Sequence, residues 1–419
     1  MLNIELIRKN PELVKESVRL RGDSVPVDEI LELDGKRRSI IVRSDGLRAQ
    51  RNEINKIISR TGDLSESLIH QMRMMGKNIK TLEEETRKIE GKIETLMLNV
   101  PNIPRQDVPY GKDESDNIVV RDVSFKSPND FHPLPHWEIG ENLDIIDFQR
   151  GAKLSGSRFF ILKGKGSRLQ RALVNWMVDL HTNEHGYEEI YLPYLVSSTS
   201  AISSGHLPKF YDTMYHDEDD DLWLVPTAEV PITNLHRDEI LAPGTLPLYY
   251  VAHTPCFRRE KAAAGRDTRG IKRVHQFEKV EMYKLVEPTE SDLELERLVA
   301  DAERVCERLE IPYRVIKLST GDLGFSAVKT FDIEMWAPGS EEWLEVSSCS
   351  NCDEFQARRA SIRYRPNVGD KPQFVHTLNG SGLALPRVII AILENYQRSD
   401  GTVEIPAVLR PYTGFDDIS

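Results

Sequence analysis

From Leu68 the apolar residues run Leu68, Met72, Met75, Ile79, Leu82, Thr86, Ile89, Ile93 and Leu96, alternating steps of four and three with Thr86 alone polar. That is a heptad seam, and a helix carrying it must lay the stripe against another helix. Upstream, Leu33, Ile40, Leu47 and Ile54 recur every seven residues, with Ile30 and Ile58 on the same stripe and Arg37, Ser44 and Arg51 interrupting it. Thr61-Gly62-Asp63 is a turn signal between the runs, so the spacing predicts an antiparallel helical hairpin over about residues 27–98. Each helix would reach about 50 Å at ~1.5 Å per residue. Gly35, Gly46, Gly76 and Gly91 lie within these helices; each costs up to ~1 kcal/mol relative to alanine, which predicts a pliable arm. Ahead of the arm, Asn10-Pro11-Glu12 opens a short helix that Gly22 closes.

Both periodicities stop after residue 100. Residues 101–130 hold Pro101, Pro104, Pro109, Gly111 and an Asp/Glu/Ser/Asn cluster, and read as a linker between an N-terminal domain (1–100) and a larger one (131–419). Two or more domains suit a chain of 419 residues. In the larger part, helical patterns alternate with β-rich stretches at Leu222–Val225, Leu248–Ala252, Val274–Leu285, Tyr313–Leu318 and Thr330–Trp336. These predict an α+β fold, an antiparallel sheet flanked by helices. Neither a Walker A loop nor a GxGxxG fingerprint is present, which argues against P-loop or Rossmann nucleotide binding.

Charge and cysteine content narrow the function classes. A net charge of −12 argues against a protein that coats nucleic acid by charge alone. The arm departs from that balance, with 14 Lys/Arg against 13 Asp/Glu over residues 27–98. With 39% hydrophobic and 29% charged residues, the chain has no apolar run near the ~20 residues that span a bilayer. Arg8, Lys9 and Pro11 interrupt any signal-peptide core, so the expected location is cytoplasmic. Cys256, Cys306, Cys349 and Cys352 form no disulfide framework. Cys349 and Cys352 make a CxxC pair, but a zinc site needs two further ligands and no second CxxC is present.

The densest chemistry lies in FRREKAAAGRDTRGIKRVHQFEKVEM, residues 257–282. Its ends read as strands and its Gly/Ala/Asp/Thr middle as a loop. Alternation places Arg258 and Glu260 on one side, and His275, Phe277, Lys279 and Glu281 on one side of the return strand. One face of a hairpin thus offers cations for phosphate, a ring for a base and a carboxylate for an amine.

This string resembles motif 2 of the class II aminoacyl-tRNA synthetases, and in its details the seryl-tRNA synthetases. Other segments resemble the same family in the same order. They are Arg171–Val196 (motif 1), Pro226-Thr227-Ala228-Glu229, Glu345-Val346-Ser347-Ser348, CSNCDEFQARR at 349–359, the helix expected to open over Leu378–Arg387 through the glycine-punctuated turn Asn379-Gly380-Ser381-Gly382, and the closing PAVLRPY. The resemblance implies a serine–tRNA ligase that forms seryl-adenylate from L-serine and ATP and loads tRNA(Ser), and tRNA(Sec) as well. Thr227, Ala228, Glu229, Arg258, Glu281 and Ser381 would hold serine. Arg258, Arg259, Glu260, Val274, Phe277, Glu345, Val346, Ser347, Ser348 and Arg387 would hold ATP. Arg258, Glu260 and Arg387 would be catalytic, and Glu345 and Ser348 would bind Mg²⁺ with ATP. Motif 1 implies a homodimer and the arm a tRNA contact. Lys261-Ala262-Ala263-Ala264 departs from the Gly/Ser-containing stretch usual in the family. Two rival readings are a related ligase that loads a carrier protein, which would lack the arm, and a non-catalytic RNA-binding scaffold, which would have lost the ATP-site residues.

Overall fold

The computed structural model describes residues 1–62, 65–125, 131–261 and 269–419. These divide into two compact units, residues 2–101 and 102–419, with Met1 grouped with the second. In the first unit, α1 (Ile4–Lys9) and α2 (Pro11–Leu20) precede two long helices, α3 (Val27–Thr61) and α4 (Glu66–Met97). Asn3, which the sequence reading passed over, caps α1 by accepting from the Glu5 amide.

Every residue of the α4 seam is buried or half-buried, and so are Leu33, Arg37, Ile40, Ser44, Leu47, Arg51, Ile54 and Ile58 of α3. The polar residues that interrupt the α3 stripe therefore occupy seam positions. Arg37 does so by pairing with Asp34 at 3.0 Å and with Glu90 across the hairpin at 3.8 Å. Together with Arg48 to Glu83 at 2.8 Å, that pair fixes the antiparallel sense, since higher numbers on α3 face lower numbers on α4. Gly62 ends α3 in the left-handed region at φ 67°, a conformation glycine adopts without a Cβ penalty. Asp63, the third residue of the expected turn, lies outside the described residues.

The second unit is built on eight strands: β1 (Ile118–Val123), β2 (Glu188–Glu189), β3 (Leu248–Phe257), β4 (Gln276–Val286), β5 (Tyr313–Lys317), β6 (Lys329–Ala337), β7 (Glu342–Asn351) and β8 (His376–Ala384). Their order across the sheet is β1-β5-β6-β7-β8-β4-β3-β2. All neighbours are antiparallel except β2 and β3. Helices α5 (Gly164–Glu184), α6 (Ser291–Leu309) and α7 (Leu385–Asn395) cover one face. Leu169, Leu173 and Met177 of α5, Leu298 and Val299 of α6, and Val388–Leu393 of α7 form one core with Met282, Val346 and Leu378 of the sheet.

Two expectations need correction here. The stretch 101–130 is not a plain linker, because β1 pairs with β5 at the sheet edge. Asn102 also donates to the Ser326 and Cys352 carbonyls, each at 2.9 Å. The strand is exposed on both faces, so it carries no alternation to read; backbone hydrogen bonds hold it. Residues 378–384 are likewise not the glycine-punctuated opening of a helix but part of central strand β8, and α7 starts at Leu385. A Cβ on Gly380 would meet Cys349 Sγ at 2.9 Å, and one on Gly382 would meet His181 Nε2 at 2.6 Å. The glycines make room for the core on the helix-covered face.

Candidate active site

Strands β4, β7 and β8 and two loops converge on the uncovered face of the sheet. β7 carries an extra residue at Val346, since Ser347 faces Ile333 while Glu345 faces Glu334. Strict alternation would put Glu345 and Ser348 on opposite faces; the bulge puts both on the cavity side. β8 repeats the device, with Ala384 opposite Lys279 and Ser381 opposite Glu281. The result is an open cavity of about 270 Å³ whose lining includes five cations, Arg258, Lys272, Arg273, Lys279 and Arg387, and four carboxylates, Glu229, Glu260, Glu281 and Glu345.

At one end the polar groups suit a small zwitterion. The Thr227 hydroxyl donates to Glu281 Oε2 at 3.1 Å while accepting from Lys279 Nζ at 2.8 Å and from the Glu229 amide at 3.2 Å. It is fully used, so Thr227 holds Glu281 and Lys279 in register. Lys279 also ion-pairs with Glu281. Gln356 and Asn379 donate to Glu229 Oε1 at 2.6 and 3.1 Å. Gln356 is itself oriented, because its oxygen accepts from Tyr283 and Thr377 at 3.1 and 2.7 Å. Burial, then the nearby Glu281 charge, push the Glu229 carboxyl up to about 7. An arriving ammonium would relieve both effects.

The other end suits a nucleotide. The Arg258 guanidinium lies over the Phe277 ring at 5.2 Å and donates to the Pro226 carbonyl at 3.3 Å. Glu260 turns the chain at φ 45°, and its carbonyl accepts from Arg158 at 3.0 Å. A non-glycine residue there is strained, and such strain collects at ligand clamps. Arg387, in the first turn of α7, donates to the Glu345 carbonyl at 2.6 Å and pairs with the Glu345 carboxylate at 3.3 Å.

The chain matches the family profile for the seryl-tRNA synthetase N-terminal domain over residues 1–104 and that for the class II tRNA synthetase core domain (G, H, P, S and T) over 211–396. It is 61% identical to the serine–tRNA ligase of Thermomicrobium roseum, over 99% of this chain and 94% of that one. The chain belongs to the seryl-tRNA synthetase family. The corresponding enzyme of Herpetosiphon aurantiacus is 56% identical over 99% of both chains. Among solved structures, the seryl-tRNA synthetase of Pyrococcus horikoshii complexed with ATP superimposes with a TM-score of 0.94 at 41% identity, covering 100% of this chain and 99% of that one.

Most residues singled out in the sequence for this family line the one cavity: Thr227, Glu229, Arg258, Glu260, Val274, Phe277, Glu281, Glu345, Val346, Ser348, Ser381 and Arg387. Three do not. Ala228 is wholly buried. The Arg259 guanidinium sits over the Tyr215 ring at 5.2 Å. Ser347 is turned into the sheet, where it donates to the Ser381 carbonyl at 2.6 Å. His275 also leaves the face that alternation assigned it, its ring lying 5.2 Å from that of Phe159. Residues 262–264, the departure from the family pattern, lie outside the described residues.

Sequence reasoning missed His206, Phe210 and Phe325, which wall the cavity, and Asp332, which lies beneath it. His206 is pushed down to about 3 by burial and is neutral. Asp332 Oδ1 is buried and has no hydrogen-bond partner among the described residues. Burial and then the Glu345 charge raise the Asp332 carboxyl well above the usual range, against a hydrogen bond with Ser348. An acid inside the apolar strand TFDIEMW was the available signal. With Glu345 and Ser348 it forms a set of hard oxygens short of a cation, so these residues fit Mg²⁺. Among the described residues there is no cluster of three or more His, Cys, Asp or Glu able to hold a metal. The remaining ligands would therefore come from the nucleotide phosphates and water. All four cysteines are buried and free.

Proposed function

We propose that the chain is a serine–tRNA ligase that activates serine with ATP and esterifies it to the 3′ end of tRNA(Ser). The observation that carries this reading is the convergence on one cavity of a zwitterion end, Thr227, Glu229, Lys279, Glu281 and Ser381, with a nucleotide end, Arg258, Glu260, Phe277 and Arg387. Serine's ammonium lies against Glu281 and Glu229, and its hydroxyl is paired by polar groups near Ser381. One carboxylate oxygen of serine attacks the α-phosphorus of ATP, the bond to pyrophosphate breaks, and a mixed anhydride forms. Arg258 bridges that carboxylate and the α-phosphate, stabilising charge as the phosphorus becomes five-coordinate. Phe277 stacks on adenine, with Glu260 and the Val274 backbone at its edge, and Arg387 holds the γ-phosphate.

Mg²⁺, held by Glu345 and Ser348 with Asp332 behind them, would neutralise the phosphate oxygens. In the second step a terminal ribose hydroxyl attacks the seryl carbonyl and AMP leaves. No side chain becomes covalently attached, so catalysis rests on positioning and charge. A pocket that pairs the substrate hydroxyl rejects alanine, which would leave those groups unpaired.

The helical hairpin supports tRNA as the acceptor over a carrier protein, recognising the long variable arm by shape and backbone. The retained Arg258, Glu260, Glu281, Glu345 and Arg387 speak against a non-catalytic scaffold. We also read the chain as a cytoplasmic homodimer joined through the motif 1 segment, and as serving tRNA(Sec). No described helix is long and apolar enough to cross a membrane. Aminoacylation of purified tRNA(Ser) with and without its variable arm tests the reading: serine is attached to the intact RNA, and rates fall sharply on the truncated one. Equal rates on both would remove the arm's role.

A further inference from the structure

A second cavity, of about 300 Å³, adjoins the first, and Val274 lines both. Its walls come from the helices His136–Asn142 and Phe148–Ser155, the loop that follows, and the backbone at Gly270. The floor is firmly built. The Ile271 amide donates to His136 Nε2 at 3.2 Å, and His136 Nδ1 is held by the buried Glu394 at 3.0 Å.

The lining is unusual for a void in a core, because aromatic rings alternate with charge. Trp137, Phe148 and Phe160 provide ring surface, Arg158 and Arg269 two guanidinium groups, and Glu141 one carboxylate. Arg269 lies over the Trp137 ring at 4.9 Å. The buried indole Nε1 of Trp137 finds no acceptor among the described residues, and a buried donor left in this state is costly. Arg158 holds a positive φ of 64°, and its guanidinium donates to the carbonyl of Glu260 in the first cavity. Two strained residues thus clamp the wall between the cavities.

Rings for stacking, a net positive lining, an indole donor without an acceptor among the described residues, and one carboxylate match a single nucleotide. The base would stack, the phosphate would meet a guanidinium, and Glu141 could accept from an exocyclic amino group. Continuity through Val274 places this nucleotide next to the one bound in the first cavity. We propose that the second cavity receives the penultimate nucleotide, a cytidine, of the tRNA acceptor end while the terminal ribose reaches the seryl group. This rests on the ligase reading above.

The test is a cycle on seryl transfer from preformed seryl-adenylate in a single turnover. The native chain and Arg269→Ala are each given tRNA(Ser) that is either intact or abasic at the penultimate position. The native chain should lose at least tenfold in transfer rate on the abasic RNA. Arg269→Ala should lose at least tenfold on intact RNA and less than about twofold further on the abasic one. Arg269→Gln, which keeps a long polar side chain, should show the same non-additivity should the alanine variant fold poorly. Independent losses that multiply, or no loss on either RNA, would overturn the proposal; so would a second copy of the chain filling the cavity, since it would make the variant's loss the same on both RNAs. Serine-dependent pyrophosphate exchange by the native chain reports separately on the ligase reading.

Discussion

The Lys279 ammonium donates to the Thr227 hydroxyl at 2.8 Å. That bond sets Lys279 on Glu281, where the incoming ammonium of serine is expected to bind. The site holds a cation of its own where the proposed substrate's would lie, so on this reading serine would bind by displacing Lys279 towards the substrate carboxylate. Lys279→Met removes a cation that opposes the raising of the Glu229 carboxyl by burial and by the Glu281 charge, so Glu229 should hold its proton more tightly. The serine KM at pH 7 should rise about tenfold or more, with a smaller change in the ATP KM, as read by pyrophosphate exchange. An unchanged serine KM would deny Lys279 this role.

Glu229 predicts a pH dependence with a definite sign. Its carboxyl is raised from 4.5 to about 7 in the folded protein. Between those values the folded chain holds a proton that the unfolded chain has released. Stability from this group is therefore full below about pH 4.5 and is lost as pH rises through about 7. Thermal melts of Glu229→Gln across this window should show a flatter pH dependence than the native chain. Lys279, Arg258 and the Gln356 and Asn379 amides face the same carboxyl and oppose Glu281. Serine's ammonium favours the carboxylate, so serine KM should rise as pH falls below 7.

Gly382→Ala tests the packing beneath the site. The new methyl would lie 2.6 Å from His181 Nε2, an imidazole that also contacts the Gly382 carbonyl at 3.2 Å. His181 is fully buried and has no room to retreat. A loss of about 1–3 kcal/mol is expected, seen as a lower melting temperature.

The helical hairpin and the nucleotide cavity belong to separate compact units. Replacing residues 30–96 with a short linker should therefore leave adenylate formation largely intact while abolishing tRNA charging. Loss of both activities together would make the hairpin a folding element instead.

What the sequence disclosed follows from how local each signal is. The α4 seam repeats one rule from Leu68 to Leu96, so no single exception hides it, whereas Arg37, Ser44 and Arg51 masked the α3 seam by placing polar side chains at its positions, Arg37 being paired there with Asp34 and with Glu90 of α4. The face of Phe277, Lys279 and Glu281 was legible because alternation holds along β4. It failed at Glu345 and Ser348, which share a face only through the bulge at Val346, and only the β6–β7 pairing reveals that bulge. Asn379-Gly380-Ser381-Gly382 reads locally as a turn. It is strand because it pairs with β4 and β7 on its two sides, and its glycines leave the space that Leu298, Cys349 and His181 fill. His206 gains its role from burial, and Asp332 from burial and from Glu345 and Ser348 on the neighbouring strand, to which no spacing points.

The most direct test of the account is serine-dependent exchange of pyrophosphate into ATP by the purified chain and by Arg258→Ala. Strong exchange is expected with serine, little with alanine, and a fall of about 10²-fold or more in the variant, the scale of losing one preorganised charge-stabilising donor. Exchange that ignores serine, or that survives Arg258→Ala unchanged, would contradict it.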